Sequence, residues 1–489
     1  MDSGDPGISF GTDGWRATLD EFTTPRVEMV AQAVATYLAD AHIDGAVAVG
    51  YDAREGSRGF AAAIADVLTA NGRDVTLAER DCPTPTLAWT VATGTYAGGL
   101  MVTASHNPPE YNGVKFVTGD GAPALPDVTD ALEERLAAPD GTAGDGGGTL
   151  TETDIRTPYC DHVLDAIDPD LTGLTVGYDA MHGSGRGVVD DLLSRAGATV
   201  ECRRCDRDPT FGGTAPEPGP ERAAGLVERV TGAESDGTPG QDAADLGFVS
   251  DGDADRAGIV TPEHGYLDPN LVLALLYQYC LERPALSPGE DTTETGGAGT
   301  AAHDVVRTVS TSSLVDRVAT AAGHEVHETP VGFKWVARAM GEHPTLVGGE
   351  ESGGYGVTAH LRNKDGVFVA LLLAGAHAER SLDDRIDALF AEHGNIVQDR
   401  TSLDCPDAEK ADAMAALGAE PPESVAGEAV ADVSTVDGAK YVLADGTWLL
   451  IRPSGTEPKL RVYAEAESQE RVEALLVAGR EHVQSVLGL

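Results

Sequence analysis

One local pattern recurs along this chain and fixes its class. "AVAVGYD" (46–52) is a short β-rich run ending in Gly and Asp. "SRGFAAAIADVLTANG" (57–72) follows with helical periodicity and a Gly stop, and "DVTLAE" (74–79) reads as the next strand. "LTVGYDAMHGSGRGVVDDLLSRAGATVECRR" (174–204) repeats strand, Gly-rich turn, helix and strand, with GYDAM answering GYDAR. "DVVRTVSTSSLVDRVATAAGHEVHET" (304–329) fits as a third copy. Strand–helix–strand units join parallel strands. The expected class is therefore α/β: three similar α/β domains with mixed sheets, arranged around something they share.

A length of 489 residues suits three or four domains. A hydrophobic content of 41% supplies cores that a disordered chain lacks. Polar Gly/Pro-rich stretches separate or interrupt the units. Residues 137–149 read as a linker, 232–245 and 285–300 as surface loops. From about residue 397 the pattern changes. Residues 438–466 alternate like antiparallel strands with an Ala-Asp-Gly turn, and 468–487 form an amphipathic helix. That predicts a smaller C-terminal α+β domain.

The formal charge is −46, from 34 basic and 80 acidic residues. Such a surface argues against nucleic acid or an anionic membrane as a partner. Lysine occurs only at positions 115, 334, 364, 410, 440 and 459. An acidic, lysine-poor surface is expected of a halophilic protein in multimolar salt, where self-repulsion is screened at short range. The opening "MDSGDPGISF" has no basic region or apolar run, and no segment approaches bilayer-spanning length. A soluble, cytoplasmic protein is expected. Of the cysteines at 82, 160, 202, 205, 280 and 405, only Cys202 and Cys205 have CxxC spacing. No second pair completes a zinc site, so the cysteines read mostly as small buried side chains.

Five polar islands carry the chemistry. In "SDGDADRAG" (250–258), Asp251, Asp253 and Asp255 alternate. Alternate side chains of an extended loop share a side, so three carboxylates converge on one hard cation. The EF-hand template fails, because Arg256 replaces its Gly and Pro262 its Glu. Three carboxylates leave room for a phosphate oxygen and water, which suits Mg²⁺; a solvated acidic turn is the competing reading. "RPSGTEPKLRVY" (452–463) offers Arg452, Ser454, Gly455 and Thr456 as donors of a phosphate cradle, or an ordinary hairpin turn. "GGEESGGY" (348–355) sets two carboxylates and a hydroxyl on a Gly-rich loop, suited to vicinal sugar hydroxyls or simply a tight turn. "TASHNPPEYNGVKF" (103–116) holds Ser105 and His106 on a loop stiffened by Pro108 and Pro109, turning at Asn112-Gly113 before Lys115. Adjacent side chains of an extended loop point apart, which disfavours a Ser–His nucleophile pair. "FGTDGWRA" (10–17) brings Arg16, which could reach a phosphate. Lys115, Lys334, Lys364 and Lys459 lie in or near polar islands. A chain that nearly excludes lysine keeps these for anion recognition or proton transfer.

In this order the islands resemble the α-D-phosphohexomutase family of phosphoglucomutases and phosphomannomutases. The 103–116 stretch looks like the family's phosphoserine loop and "DGDADR" like its metal loop. "GEESGG" looks like its sugar-recognition loop, 452–463 like its phosphate-binding loop, and "FGTDGWRA" fits its N-terminal motif. The resemblance implies four domains around a central cleft. They are placed at 1–150 with the phosphoserine loop, 151–267 with the metal loop, 268–394 with the sugar loop and 395–489 with the phosphate loop. It implies a phosphorylated Ser105, and Mg²⁺ held by Asp251, Asp253, Asp255 and the phosphoserine. It sets Glu350 and Ser352 on sugar hydroxyls, and Arg452, Ser454, Gly455 and Thr456 on the non-reacting phosphate. Arg16 and His106 assist at the reacting phosphate, Lys115 or a neighbour handles the hydroxyl proton, and Arg256 binds substrate. "ETPVGFKW" (328–335) resembles the phosphoglucomutase segment more than the His-containing phosphomannomutase form. That makes Lys334 a substrate contact and tilts specificity toward glucose. The implied reaction interconverts hexose 1-phosphate and hexose 6-phosphate through hexose 1,6-bisphosphate, in a monomer or homodimer. Mannose and glucosamine phosphates are alternative substrates. A phosphohydrolase or a non-catalytic sugar-phosphate sensor accounts less well for a two-ended site with both nucleophile and metal.

Overall fold

The computed structural model describes residues 7–11, 13–139, 147–232, 243–286, 303–419, 421–455 and 457–487. Thr12, Thr456 and most of the three stretches read as linker and loops lie outside these residues.

The strands make four sheets. Strands β1–β6 (Trp15–Thr18, Ala46–Tyr51, Val75–Ala78, Tyr96–Val102, Tyr111–Thr118, Leu150–Thr153) lie in the order β1-β5-β4-β2-β3-β6. Strands β7–β11 (Thr175–Asp179, Thr199–Arg203, Leu246–Ser250, Ala257–Thr261, Gly265–Tyr266) lie in the order β11-β10-β9-β7-β8. Strands β12–β15 (Asp304–Thr308, Val326–Thr329, Thr345–Gly349, Tyr355–Val357) lie in the order β13-β12-β14-β15. Strands β16–β21 (Val397–Asp404, Ser424–Val425, Glu428–Ser434, Ala439–Leu443, Trp448–Pro453, Lys459–Ala466) form an antiparallel sheet in the order β16-β21-β20-β19-β18-β17.

The repeated sequence unit is the parallel heart of each of the first three sheets. Its two strands pair in parallel as β2 with β3, β7 with β8 and β12 with β13. Helices Ser57–Ala70, Val189–Arg195 and Leu314–Ala322 connect them. Each sheet then gains another parallel strand, β4, β9 or β14, followed in the chain by an antiparallel neighbour, β5, β10 or β15. The reversal takes place beyond the carboxyl end of a parallel strand, where open α/β sheets bind ligands. The three reversals are residues 103–110, 251–256 and 350–354. These carry the serine, aspartate and glutamate islands. The fourth island is the β20–β21 connection.

Packing joins the units unequally. The first sheet has its own apolar core around Val34, Val49 and Leu100. The second and third share a continuous core that includes Phe248, Leu276 and Phe368. Helix Gly366–Glu379 makes that sharing possible, since its buried residues Gly366–Ala376 are unbroken by an outward polar face. The C-terminal sheet packs Leu449, Ile451 and Val462 against helix Gln469–Leu487. Among the described residues, no helix is long and apolar enough to cross a membrane.

Candidate functional site

The serine loop is shaped by a buried arginine. Arg54 donates from Nε to Asp52 and from its two terminal nitrogens to the carbonyls of Ser105, Asn107, Pro108 and Tyr111, at 2.6–3.1 Å. One planar guanidinium thus ties four loop carbonyls together. Asp52 also accepts from the Thr103 and Ser57 hydroxyls. Ser105 sits in the left-handed region at φ 52° and is fully buried, with its N–H donating to Thr103 Oγ1 at 2.8 Å. A non-glycine residue held there is strained, and such strain collects at functional positions.

This geometry corrects two expectations. The loop is not extended, so Ser105 and His106 do not point apart; Ser105 Oγ lies 3.3 Å from His106 Nδ1. The reversal is not at Asn112-Gly113 either. Both residues lie within β5, and the chain turns earlier, where Asn107 N donates to Ala104 O and Tyr111 N to Pro108 O. Gly113 serves close approach instead. A Cβ there would fall 2.6 Å from Thr103 O and 2.7 Å from Trp15 O.

The three aspartates converge beneath the serine, though not by strand alternation. Residues 251–256 form a tight turn with Ala254 at φ 53° and Ala254 N donating to Asp251 O. Their carboxylates are fully buried, with ligand atoms within 4.8 Å of one another. Ser105 Oγ donates to Asp251 Oδ2 at 2.8 Å. Lys115 Nζ lies 2.9 Å from Asp253, Asp255 and Asp13, and Lys364 Nζ reaches Asp255 and Asp13 at 2.8 and 3.1 Å. Thr84 Oγ1 donates to Asp253 at 2.6 Å. Two oxygens, Asp253 Oδ1 and Asp255 Oδ1, are buried without a hydrogen-bond partner. Orphaned acceptors beside a third carboxylate are costly unless a cation completes them. An all-oxygen donor set fits a hard divalent ion such as Mg²⁺.

The protonation pattern agrees. Burial, reinforced by repulsion from Asp253 and Asp255, pushes the Asp251 carboxyl well above the usual range. Burial opposes ionisation of Asp253 too, but Lys115, the Thr84 hydroxyl and Lys364 outweigh it and hold that carboxyl low. Burial disfavours the Lys115 ammonium, yet Asp13, Asp253 and Asp255 keep it well above its ordinary value. His106 is driven down to about 2 by burial and by Arg256, Arg16 and Lys364, so its imidazole is neutral at physiological pH.

Above this floor opens a cleft of about 970 Å³, lined from all four sheets. Arg16 and His106 face it from the first unit and Arg256 from the second. Glu350, Ser352 and Lys364 face it from the third, Arg452 and Arg461 from the fourth. Arg452 and Arg461 are direct cross-strand partners, as are Arg400 and Tyr463, and alternation sets all four on one face of the C-terminal sheet. Like charges directly opposite are destabilising. An arginine pair facing an open cleft therefore suits an anion.

Four models of phosphoglucomutase/phosphomannomutase domains match the chain in order. The α/β/α domain I model covers residues 7–142, domain II 157–265, domain III 268–393 and the C-terminal domain 402–481. The chain belongs to the phosphoglucomutase/phosphomannomutase family. It is thereby an isomerase-type phosphotransferase. A Methanopyrus kandleri protein described as a phosphoglucosamine mutase is 34% identical over 475 residues, 96% of each chain. A Thermococcus kodakarensis phosphopentomutase is 31% identical, with 95% of each chain covered. A crystal structure described as a Thermus thermophilus phosphomannomutase superposes with TM-score 0.78 at 30% identity, over 98% of this chain and 99% of that one.

Within this family's four-unit frame, the remaining candidates divide. Glu350 is buried and accepts from Gly332 N at 3.0 Å, and burial raises its carboxyl to about 7. Ser352 Oγ lies 3.5 Å from Glu350 Oε2. Arg256 forms an isolated bridge to Gly354, linking the aspartate and glutamate loops. Arg452 donates to Asp437 at 2.9 Å. Ser454 and Gly455 do not line the cleft, and the buried Ser454 hydroxyl accepts from Glu457 N. Thr456 lies outside the described residues. Lys334 also falls outside the lining; its Nζ is 3.4 Å from Gly11 O. Sequence reading assigned no role to Arg54, Asp13, Thr84, Arg400 and Arg461, and marked Lys364 only as a lysine kept for anion recognition or proton transfer. The repeated GYDA string pointed at Arg54, and Arg461 is found only through its cross-strand register opposite Arg452.

Proposed function

We propose that the chain interconverts hexose 1-phosphate and hexose 6-phosphate, with a phosphoryl group carried on Ser105. The observation that carries this reading is the stacking of two different sites. A strained serine bonded to a buried triaspartate lies under a cleft whose far wall presents paired arginines. One site suits phosphoryl transfer and the other holds a phosphate that does not react. A hydrolase has no need of the second.

Asp251, Asp253 and Asp255 would hold Mg²⁺, which lowers the charge cost of phosphoryl transfer when bound. The protein's own groups do the rest. The Ser105 Oγ–phosphorus bond breaks as a sugar hydroxyl oxygen bonds phosphorus, and the hydroxyl proton leaves to a nearby acceptor. Ser105 then regains a phosphoryl group from the other end of the hexose 1,6-bisphosphate. Lys115 is locked by three carboxylates as an ammonium, so it balances charge at the transfer point. Arg16 and His106 stand at that same end of the cleft. Glu350 and Ser352 read sugar hydroxyls, and Arg452 with Arg461 holds the distal phosphate. Arg256 ties the two loops together over the substrate.

Glucose is the favoured sugar, on the phosphoglucomutase-like form of residues 328–335. Glucosamine phosphate is the second reading, supported by the name of the Methanopyrus relative. The enzyme is proposed to be cytosolic and adapted to multimolar salt, on its charge of −46 and six lysines. A coupled assay with glucose, mannose and glucosamine 1-phosphates, in multimolar KCl with Mg²⁺, tests the reading. Fastest turnover on glucose 1-phosphate with almost no free phosphate supports it. Stoichiometric phosphate release contradicts the mutase, and loss of activity only at high salt contradicts the halophilic part.

A further inference from the structure

The mutase reading leaves Cys202 and Cys205 unused. Cys82, Cys160, Cys280 and Cys405 are buried as expected, but Cys202 is exposed and Cys205 half-buried. Cys202 lies in β8, which ends at Arg203, and Arg204 is left-handed at φ 49°. That turn brings the Cys205 side chain back beside Cys202. Asp190, in the first turn of helix Val189–Arg195, meets them from the other element. The two sulfurs and a carboxylate oxygen all lie within 4.8 Å of one another.

We propose that Asp190, Cys202 and Cys205 form a second metal site, for a thiophilic divalent cation of the zinc class. Two sulfurs select against Mg²⁺ and toward a soft or borderline ion, and CxxC spacing is a common chelating half-site. The missing half of a four-sulfur site is replaced by one carboxylate, leaving a position for water. Asp190 is oriented for the task. Its Oδ1 accepts from Gly187 N, while Oδ2 faces Cys202 Sγ at 3.8 Å. Binding breaks two S–H bonds, forms two metal–sulfur bonds and releases two protons to solvent, with no change of oxidation state. Among the described residues, the other cluster outside the cleft, Asp304, Glu325 and His327, contains no sulfur.

The ion would clamp the end of β8 to the following segment's root. That segment sets Phe211 against Arg54 and carries Glu217 and Pro218 into the cleft lining. Occupancy is therefore expected to stiffen one wall of the cleft without touching the reacting atoms.

The test uses the full chain, reduced, stripped with chelator, loaded with Zn²⁺ and dialysed against Mg²⁺ buffer. The wild type should retain one zinc per chain by elemental analysis, and Cd²⁺ loading should give thiolate-to-cadmium absorption. Cys202→Ser and Cys205→Ser should retain none, and Asp190→Asn should bind about tenfold more weakly. Mutase turnover of Cys202→Ser confirms that this variant folds. Wild type that retains no zinc overturns the proposal, and so does unchanged retention in the serine variants.

Discussion

The floor and the far wall of the cleft are built on opposite principles. At the floor, Ser105, Asp251, Asp253, Asp255, Lys115 and Lys364 are buried, and their ammonium and carboxylate groups are in direct contact. At the wall, Arg452 and Arg461 are partly exposed and each is held by one carboxylate, Asp437 or Glu457. A fixed floor suits the step where bonds change, because preorganised charge needs no rearrangement there. A looser wall suits a phosphate that arrives on either end of the sugar. Buried charges also fail differently from exposed ones when a partner is removed, and that contrast can be tested.

The largest expected effect is at the floor. Chelation with EDTA should lower turnover at least ~10²-fold, with full recovery on adding Mg²⁺. Asp253→Ala should show the same loss without recovery. An EDTA-insensitive wild type would end the metal assignment. Next comes Lys115→Met, which leaves Asp13, Asp253 and Asp255 facing one another without their shared cation. Thermal or denaturant unfolding should show a loss of about 3–5 kcal/mol in chelator. Mg²⁺ should restore more stability to this variant than it adds to the wild type. Equal metal-induced stabilisation of both proteins would mean the floor is not electrostatically coupled.

The wall should respond in binding alone. Arg452→Gln should raise KM by about 10- to 100-fold with kcat nearly kept, as expected for one charge-assisted phosphate contact. A fall in kcat with unchanged KM would move Arg452 into the transfer step. Glu350 gives the smallest effect. Its carboxyl is raised to about 7 by burial, so it ionises as pH rises through that value. If it accepts sugar hydroxyls as a carboxylate, KM should fall a few-fold across that interval, and Glu350→Gln should flatten the profile. The stability linkage runs the other way. Folding favours the protonated form, so this contribution is complete below pH ~4.5 and is lost as pH rises through about 7.

What sequence made legible was local. Three repeated units announced three sheets, and Ser105, the aspartates, Glu350 and Arg452 each sit in a short string whose residue types suit one task. What it hid was contact across the chain. Lys364 meets Asp13 across 351 residues, Lys115 meets Asp255 across 140, and Thr84 reaches Asp253 across 169. No spacing rule encodes such pairs. Local rules also gave partly wrong reasons. Asn112-Gly113 carries a turn signature yet lies within β5, because the chain has already reversed over Pro108 and needs a glycine where two carbonyls crowd. The aspartates converge through a tight turn with left-handed Ala254 rather than through alternation. Lys334, expected as a substrate contact from the resemblance of residues 328–335, has its ammonium 3.4 Å from the carbonyl of Gly11, a residue of the cleft lining.

Everything proposed for the cleft depends on Ser105 carrying the phosphoryl group. Purified protein should be incubated with Mg²⁺ and glucose 1,6-bisphosphate, then digested and mapped by mass spectrometry. One phosphoryl group is expected on the peptide containing Ser105, discharged when excess glucose 1-phosphate is added, and absent from an otherwise folded and inactive Ser105→Ala. A phosphoryl group that maps elsewhere, or full mutase turnover in Ser105→Ala, would contradict it.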